Sequence, residues 1–144
     1  AAADIAIAAP EARFAFSEVR LGVAPAIISV LCLRKMAPCD ASYLFLTGER
    51  FGPETARASG LLQAIAGEND LYGAVTQELA RLRLGAPGAI AAAKSLLRDA
   101  DKGDVRSELL RAQMVSAKLF ASAEAAEGAS AFRERRAPSW AQDA

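Results

Sequence analysis

The sequence predicts an α/β fold in which a mixed region of strands and helices is followed by a region of helices alone. Two short apolar segments, "ADIAIAA" and "LLQAIA", have the residue types and the spacing of strands. After about residue 70, apolar residues recur at helical spacing. These observations divide the 144 residues into a mixed region, 1–67, and a helical region, 68–144.

In the mixed region, Ile5 and Ile7 share one face of the first predicted strand, because successive side chains of a strand point to opposite sides. The next segment, "RFAFSEV", places Phe14, Phe16 and Glu18 on one face by the same alternation. Beyond Glu18 the apolar residues change phase, which predicts that this strand ends or turns there. A carboxyl group beside two aromatic rings is poorly solvated, so Glu18 is a candidate site residue.

Three helices are predicted between this segment and the second strand. The residues "AIISVLCLRKM" follow Pro25 and are apolar on nearly every side, which predicts a buried helix. The second helix covers "CDASYLFLT" and stops near Gly48. The third begins at Pro53 and ends just before Gly60, since proline favours the first helical turn and glycine the position after the last.

The helical region has start signals of its own. Asn69 or Asp70 is predicted to cap one helix, and Pro87 starts the chain into another. Asp104 is predicted to cap a long third helix, and a last helix through "EAAEGASAFRER" ends before Pro138. The apolar stripes of these helices, at residues 71–82 and 110–121, predict a core or a subunit interface.

Composition excludes several classes of function. The chain has no histidine, which rules out Ser-His-Asp and Cys-His nucleophile systems and most zinc sites. Its 17 basic residues balance 17 acidic ones, so no overall field attracts nucleic acid. The spacing of Cys32 and Cys39 matches neither a zinc pair nor a redox pair, so both are predicted to be small buried hydrophobes. No metal site is expected.

Apolar stretches in the sequence are too short for a membrane protein. The longest, "LGVAPAIISVLCL", contains a proline and is shorter than the roughly 18 to 20 residues of a membrane span. The first residues lack the basic start and the apolar core of a secretory signal. We therefore expect a cytoplasmic protein without a membrane span.

Several motifs occur in one order along the chain, namely "DIAIA", "LGVAP", "LTGE", "SGLL" and "FRERRAP". Together they resemble the second half of the crotonase, or enoyl-CoA hydratase/isomerase, family, and the resemblance covers essentially the whole chain. It implies the C-terminal portion of a crotonase-like spiral of strand-strand-helix turns, followed by a helical trimerisation region. It also implies that the N-terminal half of the same enzyme is missing from this chain, cleaved off or held in a separate polypeptide.

By this resemblance the protein is a hydratase-like lyase that adds water across the double bond of a trans-2-enoyl-CoA thioester. Glu18 corresponds to a catalytic glutamate of the hydratases, and Ala26 to the residue whose backbone N–H helps position the water. The oxyanion hole and a second glutamate would come from the N-terminal half. "PAIIS" replaces the family's "PGAGG", which implies a bulkier apolar wall. Coenzyme A belongs to the substrate, so no cofactor is expected.

The end of the chain holds the predicted coenzyme A contacts. Arg135 corresponds to a family lysine that reaches the coenzyme A of a neighbouring subunit. Phe132 borders the adenine pocket, or else anchors the C-terminal tail together with Trp140. On the residues alone, "FRERR" is either a solvated helix end or a phosphate clamp. The resemblance also implies a homotrimer, often paired into a hexamer.

Other interpretations of the function remain open at this point. An enoyl-CoA isomerase would move the double bond with one glutamate as proton shuttle, and would lack the second carboxylate. A non-catalytic oligomerisation module would use the helical region only to hold a trimer. On sequence alone, Glu18 could also be a solvated carboxylate at the end of a strand.

Overall fold

A computed structural model describes residues 1–100 and 104–142. The chain divides into two compact units, an N-terminal unit of residues 1–77 and a C-terminal unit of residues 78–144. The strands and helices are β1 Ile7–Ala8, α1 Ala26–Cys32, α2 Pro38–Thr47, α3 Pro53–Ala58, β2 Ala64–Ile65, α4 Leu71–Arg83, α5 Pro87–Asp99, α6 Val105–Phe120 and α7 Ala123–Glu134. Short 3-10 helices lie at Ser17–Leu21 and Ser139–Ala141. The predicted division of roles between residues 1–67 and 68–144 stays a prediction.

Strands β1 and β2 form a small parallel sheet, with Ile7 opposite Ala64. The backbone continues the pairing on both sides, because Gln63 N–H donates to Ala6 O and Ala66 N–H to Ala8 O, each at 2.9 Å. Both predicted strands are therefore confirmed, although each is only two residues long. Parallel strands need a crossover between them, and here residues 9–63 supply it.

The buried core of the described residues lies in the N-terminal unit. Helix α2 contributes Ala41 and Leu44, which are three positions apart and so share one helix face. One cluster of buried side chains joins them to β1, α1 and α3, and its members are Ala8, Phe16, Cys32, Met36, Ala41, Leu44, Phe51, Ala56, Leu61 and Leu62. This cluster is the frame against which the candidate site residues of the N-terminal unit are held.

Glycines end two of the predicted helices where the sequence places them. Gly48 follows α2 with φ of 59°, and Gly60 lies beyond α3 with φ of 94°. A side chain at Gly60 would start 2.4 Å from the backbone oxygen of Lys35, so this position needs glycine for space as well as for its backbone angle. The predicted ends of the second and third helices are confirmed.

The predicted strand through "RFAFSEV" is wrong. Phe14 makes an isolated antiparallel bridge with Phe51, and from Ser17 the chain coils into a 3-10 helix. The prediction that the chain turns close to Glu18 is confirmed. The physical reason is aromatic packing. Phe16 is buried in the core and stacks on Phe45, and the backbone leaves the extended conformation to place its ring there.

Helix α1 is less buried than its composition predicts. Cys32 is its only buried residue, whereas Ile27 is 91% exposed and Val30 58%. The cause is that, within the described part of the chain, no element covers the outer face of α1. The two cysteines also differ, since Cys32 is buried and Cys39, in the first turn of α2, is exposed. The predicted burial of Cys39 is therefore wrong.

Within residues 71–100 and 104–142 the chain forms four α-helices, as predicted. Asp70 directly precedes α4, and its backbone oxygen accepts the N–H of Ala74 at 3.0 Å, which is the bonding expected of an N-cap residue. Asp104 caps α6, because its carboxylate accepts the N–H groups of Arg106 and Ser107 at 3.1 Å. No helix among the described residues is both long and apolar enough to cross a membrane.

Candidate active site

Phe16 fixes the backbone two residues before Glu18. Its side chain is buried and stacks on Phe45 with ring centroids 4.0 Å apart. Its ring also lies 5.9 Å from that of Phe51. Phe51 in turn exchanges two backbone hydrogen bonds with Phe14, of 2.9 and 3.0 Å. The segment that leads to Glu18 is thus held by both ring packing and backbone pairing.

The 3-10 helix that carries Glu18 is fastened to the end of α2. Arg20 Nε donates to Thr47 O at 3.0 Å. Gly48 comes so close that a side chain there would begin 2.8 Å from Cγ2 of Val19. The backbone oxygen of Glu18 accepts the N–H of Val23 at 3.1 Å, which closes the turn. These contacts fix the base of the Glu18 side chain.

The carboxylate of Glu18 has no partner among the described residues. The residue is half-buried, and its side chain forms no hydrogen bond or ion pair with any residue in the ranges 1–100 and 104–142. By contrast, Glu49, which follows Gly48, accepts a hydrogen bond from Tyr43 Oη at 3.2 Å. Both oxygens of Glu18 are therefore available to a substrate or to water. Its predicted place on one strand face with Phe14 and Phe16 is wrong, because residues 17–21 are helical.

Ala26 is the first residue of α1, and a tight turn precedes it. Pro25 has φ of −73° and ψ of 53°, the angles of an inverse γ-turn. Accordingly, Ala26 N–H donates to Ala24 O at 2.8 Å. A water molecule at this N–H would have to replace or share that bond, which is bent in a turn of this kind. The predicted role of Ala26 stays a prediction.

Phe132 and Trp140 have different surroundings. Phe132 is 85% exposed, so its predicted use as a packing anchor for the tail is wrong in this chain. Trp140 does anchor the tail, since its Nε1 donates to Leu84 O at 3.2 Å. Its ring also covers Gly128, where an added Cβ would lie 3.3 Å away. The predicted contact of Phe132 with an adenine ring stays a prediction.

Helix α7 ends in a left-handed turn at Arg135. This residue has φ of 54° and ψ of 40°. Its N–H donates to Phe132 O at 3.3 Å, and the N–H of Arg136 donates to Ala131 O at 3.0 Å. This pair of bonds is the Schellman motif, in which glycine is usual. An arginine there carries a backbone strain of about 1 kcal/mol.

Arg136 is bound by two carboxylates of α7. Its Nη1 and Nη2 donate to the two oxygens of Glu127 at 2.7 and 3.0 Å, and its Nε to Glu134 at 2.7 Å. The hydrogen bond from Arg136, followed by that from Ser139 N–H, lowers the pKa of Glu127 to about 2. The hydrogen bond from Ser130, followed by that from Arg136, lowers the pKa of Glu134.

This role of Arg136 is not evident from the sequence. Nothing in "FRERR" distinguishes one arginine from the next, and the main partner of Arg136, Glu127, lies nine positions earlier. By contrast, the side chain of Arg135 is exposed and, within the described parts of the chain, forms no hydrogen bond or ion pair. Its predicted contact with coenzyme A stays a prediction.

The C-terminal unit also contains an apolar groove of about 420 Å³. Helices α5, α6 and α7 and the ring of Trp140 line it. Its charged member is Glu124, whose two oxygens each accept the N–H of Gly88 at 3.0 Å and so cap α5 from a neighbouring helix. Neither Phe132 nor Arg135 lines this groove.

Among the described residues, no group of three or more acidic or cysteine side chains could hold a metal ion.

Comparison with known proteins identifies the family. The sequence model of the enoyl-CoA hydratase/isomerase family matches residues 1–143. The chain belongs to this family. Crotonase folds are also its structural neighbours: an enoyl-CoA hydratase/isomerase from Marinobacter aquaeolei superposes with a TM-score of 0.91 at 34% identity, over 97% of this chain and 53% of that one. A small parallel sheet with many helices is consistent with the C-terminal portion of the crotonase fold, and the predicted fold is confirmed.

The curated relatives of this chain have names that describe enzymes acting on coenzyme A thioesters. Enoyl-CoA hydratase ACTT6 of Alternaria alternata is 32% identical over 90% of this chain and 44% of its own length. Carnitinyl-CoA dehydratase of Salmonella typhi is 31% identical over 96% of this chain and 55% of its own length. The chain thus spans about half the length of the relatives it matches.

Proposed function

We propose that this crotonase chain supplies the acid–base glutamate of a hydratase-like lyase that acts on trans-2-enoyl-CoA thioesters. The oxyanion hole and a second glutamate belong to the N-terminal half of the same enzyme. The observation that carries the proposal is the carboxylate of Glu18, which is half-buried, fixed at its base and free of protein partners among the described residues. The names of the relatives support the thioester substrate.

The proposed reaction uses Glu18 as one of two proton-transfer groups. The oxygen of water attacks the β-carbon of the enoyl group, and the electrons of the double bond move into the thioester carbonyl. The resulting enolate oxygen is held by the oxyanion hole, and a proton is then delivered to the α-carbon. One glutamate takes a proton from the water while the other gives one to carbon. The carboxylate of Glu18 can take part because no described side chain occupies its oxygens.

Ala26 and the apolar start of α1 form the second part of the proposed site. The N–H of Ala26 helps position the water, although it now donates to Ala24. Ile27 is 91% exposed, so this bulky side chain is free to form a wall of the acyl pocket. At the other end of the chain, we propose that Phe132 borders the adenine ring of coenzyme A and that Arg135 contacts the coenzyme A bound to a neighbouring subunit.

The proposed assembly is a homotrimer or a hexamer in the cytoplasm. Its support is the set of large apolar side chains that the C-terminal helices leave exposed, among them Leu79, Leu97, Leu109 and Met114. Removal of such side chains from water by another surface lowers the free energy of the protein. A subunit interface would cover them.

The test is Glu18→Gln in the full-length protein, with crotonyl-CoA as the substrate and loss of the enoyl absorbance as the signal. Glutamine keeps the shape of the side chain but cannot exchange a proton, so we expect kcat for hydration to fall by roughly 10²- to 10⁴-fold. The matched control is Glu11→Gln, which alters an exposed glutamate seven positions earlier and leaves the rate unchanged. Near wild-type hydration by the Glu18→Gln variant would remove Glu18 from the mechanism.

Product analysis with an enoyl-CoA substrate separates the alternatives. A 3-hydroxyacyl-CoA product supports the lyase, whereas a shifted double bond without added water identifies an isomerase that uses Glu18 alone. An oligomerisation module without catalysis would give neither product and would bind no acyl-CoA in a calorimeter.

A further inference from the structure

Three arginines lie close together at the end of α7, and the structure gives them different partners. Arg136 is bound by Glu127 and Glu134. Arg133 and Arg135 form no hydrogen bond or ion pair within residues 1–100 and 104–142. Because a guanidinium that is already paired has few donors left, these two arginines are the ones available to an anionic ligand.

Arg135 occupies a backbone position that glycine would hold without strain. With φ of 54° it lies in the left-handed region, where the Cβ of an L-residue is crowded. Strained residues persist when their surroundings determine the backbone, and they cluster at functional sites. The contacts around Arg135 must therefore hold its backbone in this conformation.

The bonds of Arg136 tie together the chain on both sides of Arg135. Glu127 lies before the turn, and its Oε1 also accepts the N–H of Ser139, which lies after the turn, at 2.8 Å. Arg136 Nη1 donates to Ala137 O at 3.2 Å as well as to Glu127. We name Glu127, Arg136 and Ser139 the latch. Since the latch joins α7 to the residues that follow, it fixes the backbone at the left-handed residue.

We propose that the latch positions an anion-binding residue: Glu127, acting through Arg136, holds the left-handed turn that presents Arg135 to a phosphate group of the acyl-CoA. This inference rests on the proposed function for the identity of the ligand. Glu127 and Arg136 are positioning residues, and neither touches the ligand. A guanidinium suits this ligand because its fork of N–H donors matches two phosphate oxygens.

The experiment is a double-mutant cycle in the full-length protein, with Glu127→Gln, Arg135→Gly and the double variant. Coenzyme A affinity is measured by calorimetry, and kcat and KM with crotonyl-CoA. We expect Arg135→Gly to weaken binding by about 10-fold and to raise Tm, because glycine relieves the strained turn. Glu127→Gln should weaken binding by about 3- to 10-fold and raise KM at unchanged kcat. The double variant should bind no more weakly than Arg135→Gly.

Glu78→Gln is the matched control. Glu78 pairs with Arg81 of the same helix, α4, and makes no bond to the latch, so its loss should leave coenzyme A affinity unchanged. If Glu127→Gln lowers Tm but leaves affinity and KM at wild-type values, the latch is a structural element only and the proposal is wrong. The proposal is equally wrong if the effects of Glu127→Gln and Arg135→Gly add.

Two further probes identify the phosphate. A loss seen with coenzyme A but not with dephospho-coenzyme A assigns Arg135 to the 3′-phosphate, and an equal loss with both assigns it to the diphosphate. A loss seen with inorganic phosphate but with neither of these ligands overturns the proposal. If coenzyme A binds and follows the expected cycle while hydration is absent, the lyase proposal fails and the latch stands, because the cycle measures binding rather than turnover.

Discussion

The two units of the chain hold their candidate site residues by different means. In the N-terminal unit, buried apolar side chains fix Glu18, chiefly through Phe16 and its ring contacts. In the C-terminal unit, Ala131 is the only buried apolar residue among those described. There, charged and polar hydrogen bonds of Arg136 and the bond from Trp140 shape the end of the chain.

This difference shows how each unit depends on its surroundings. A buried ring is held by the hydrophobic effect and by close packing, which salt does not screen and which do not depend on the protonation of any group. Exposed ion pairs add little stability individually and depend on both conditions. The C-terminal helices also leave large apolar side chains uncovered, so we expect their order to depend on association with other subunits. Three changes test this contrast.

The largest effect is expected from Phe16→Ala in the N-terminal unit. Removing a buried ring that contacts Phe45 and Phe51 should lower the free energy of unfolding by about 3–5 kcal/mol. Urea denaturation of the full-length protein measures this loss. Gln113→Ala in the C-terminal unit is the control, because that side chain is polar and exposed on α6, and it should change stability by about 0.5 kcal/mol or less. Equal losses in the two variants would contradict the contrast between the units.

A smaller effect is expected from Glu124→Gln. Glutamine can still accept the N–H of Gly88, but it removes the negative charge from the start of α5. A charge at a helix terminus contributes about 0.3–1 kcal/mol, so we expect a loss of this size in low salt and a smaller loss in 1 M salt. Thermal unfolding at the two salt concentrations measures it. A loss that does not depend on salt would mean that the contact acts through packing instead of charge.

The smallest effect is expected when acid protonates Glu127 of the latch. Glu127 has its pKa lowered to about 2 from 4.5, first by the hydrogen bond from Arg136, so the folded state binds its proton less tightly than the unfolded state does. Its contribution to stability is complete above about pH 4.5 and is lost as the pH falls towards 2. Trp140, the only tryptophan, reports on the tail by its fluorescence. The difference in urea midpoint between wild type and Glu127→Gln should vanish in acid, and a constant difference would contradict the assignment.

Local signals in the sequence predicted most of the elements. Gly48 and Gly60 end helices because of the backbone angles they allow, and Asp104 caps α6 with its own carboxylate, so each signal acts within a few residues. The strand through Phe14 and the burial of α1 were predicted wrongly for another reason. Both depend on what packs against the segment from a distance, which alternation and composition do not encode.

The candidate site was predictable to a similar extent. Glu18 stood out as an acid among apolar residues, and the structure leaves its carboxylate free of partners among the described residues. The γ-turn bond of Ala26 and the pairing of Arg136 with Glu127 were not predictable, because both are set by the fold around them. The choice of Arg135 as a coenzyme A contact came from the family resemblance. The structure adds that the donors of Arg136 are occupied, whereas Arg133 and Arg135 have no partner among the described residues.

The close approach at Gly48 has a consequence for the interpretation of sequence variants. Residue 48 touches no ligand, yet any side chain there would begin 2.8 Å from Val19 and 3.1 Å from Phe16 O, and would push away the segment that carries Glu18. A library that randomises this codon should therefore lose activity with every amino acid larger than glycine. Such intolerance would come from crowding beneath the reactive group and would not make position 48 a participant in the chemistry.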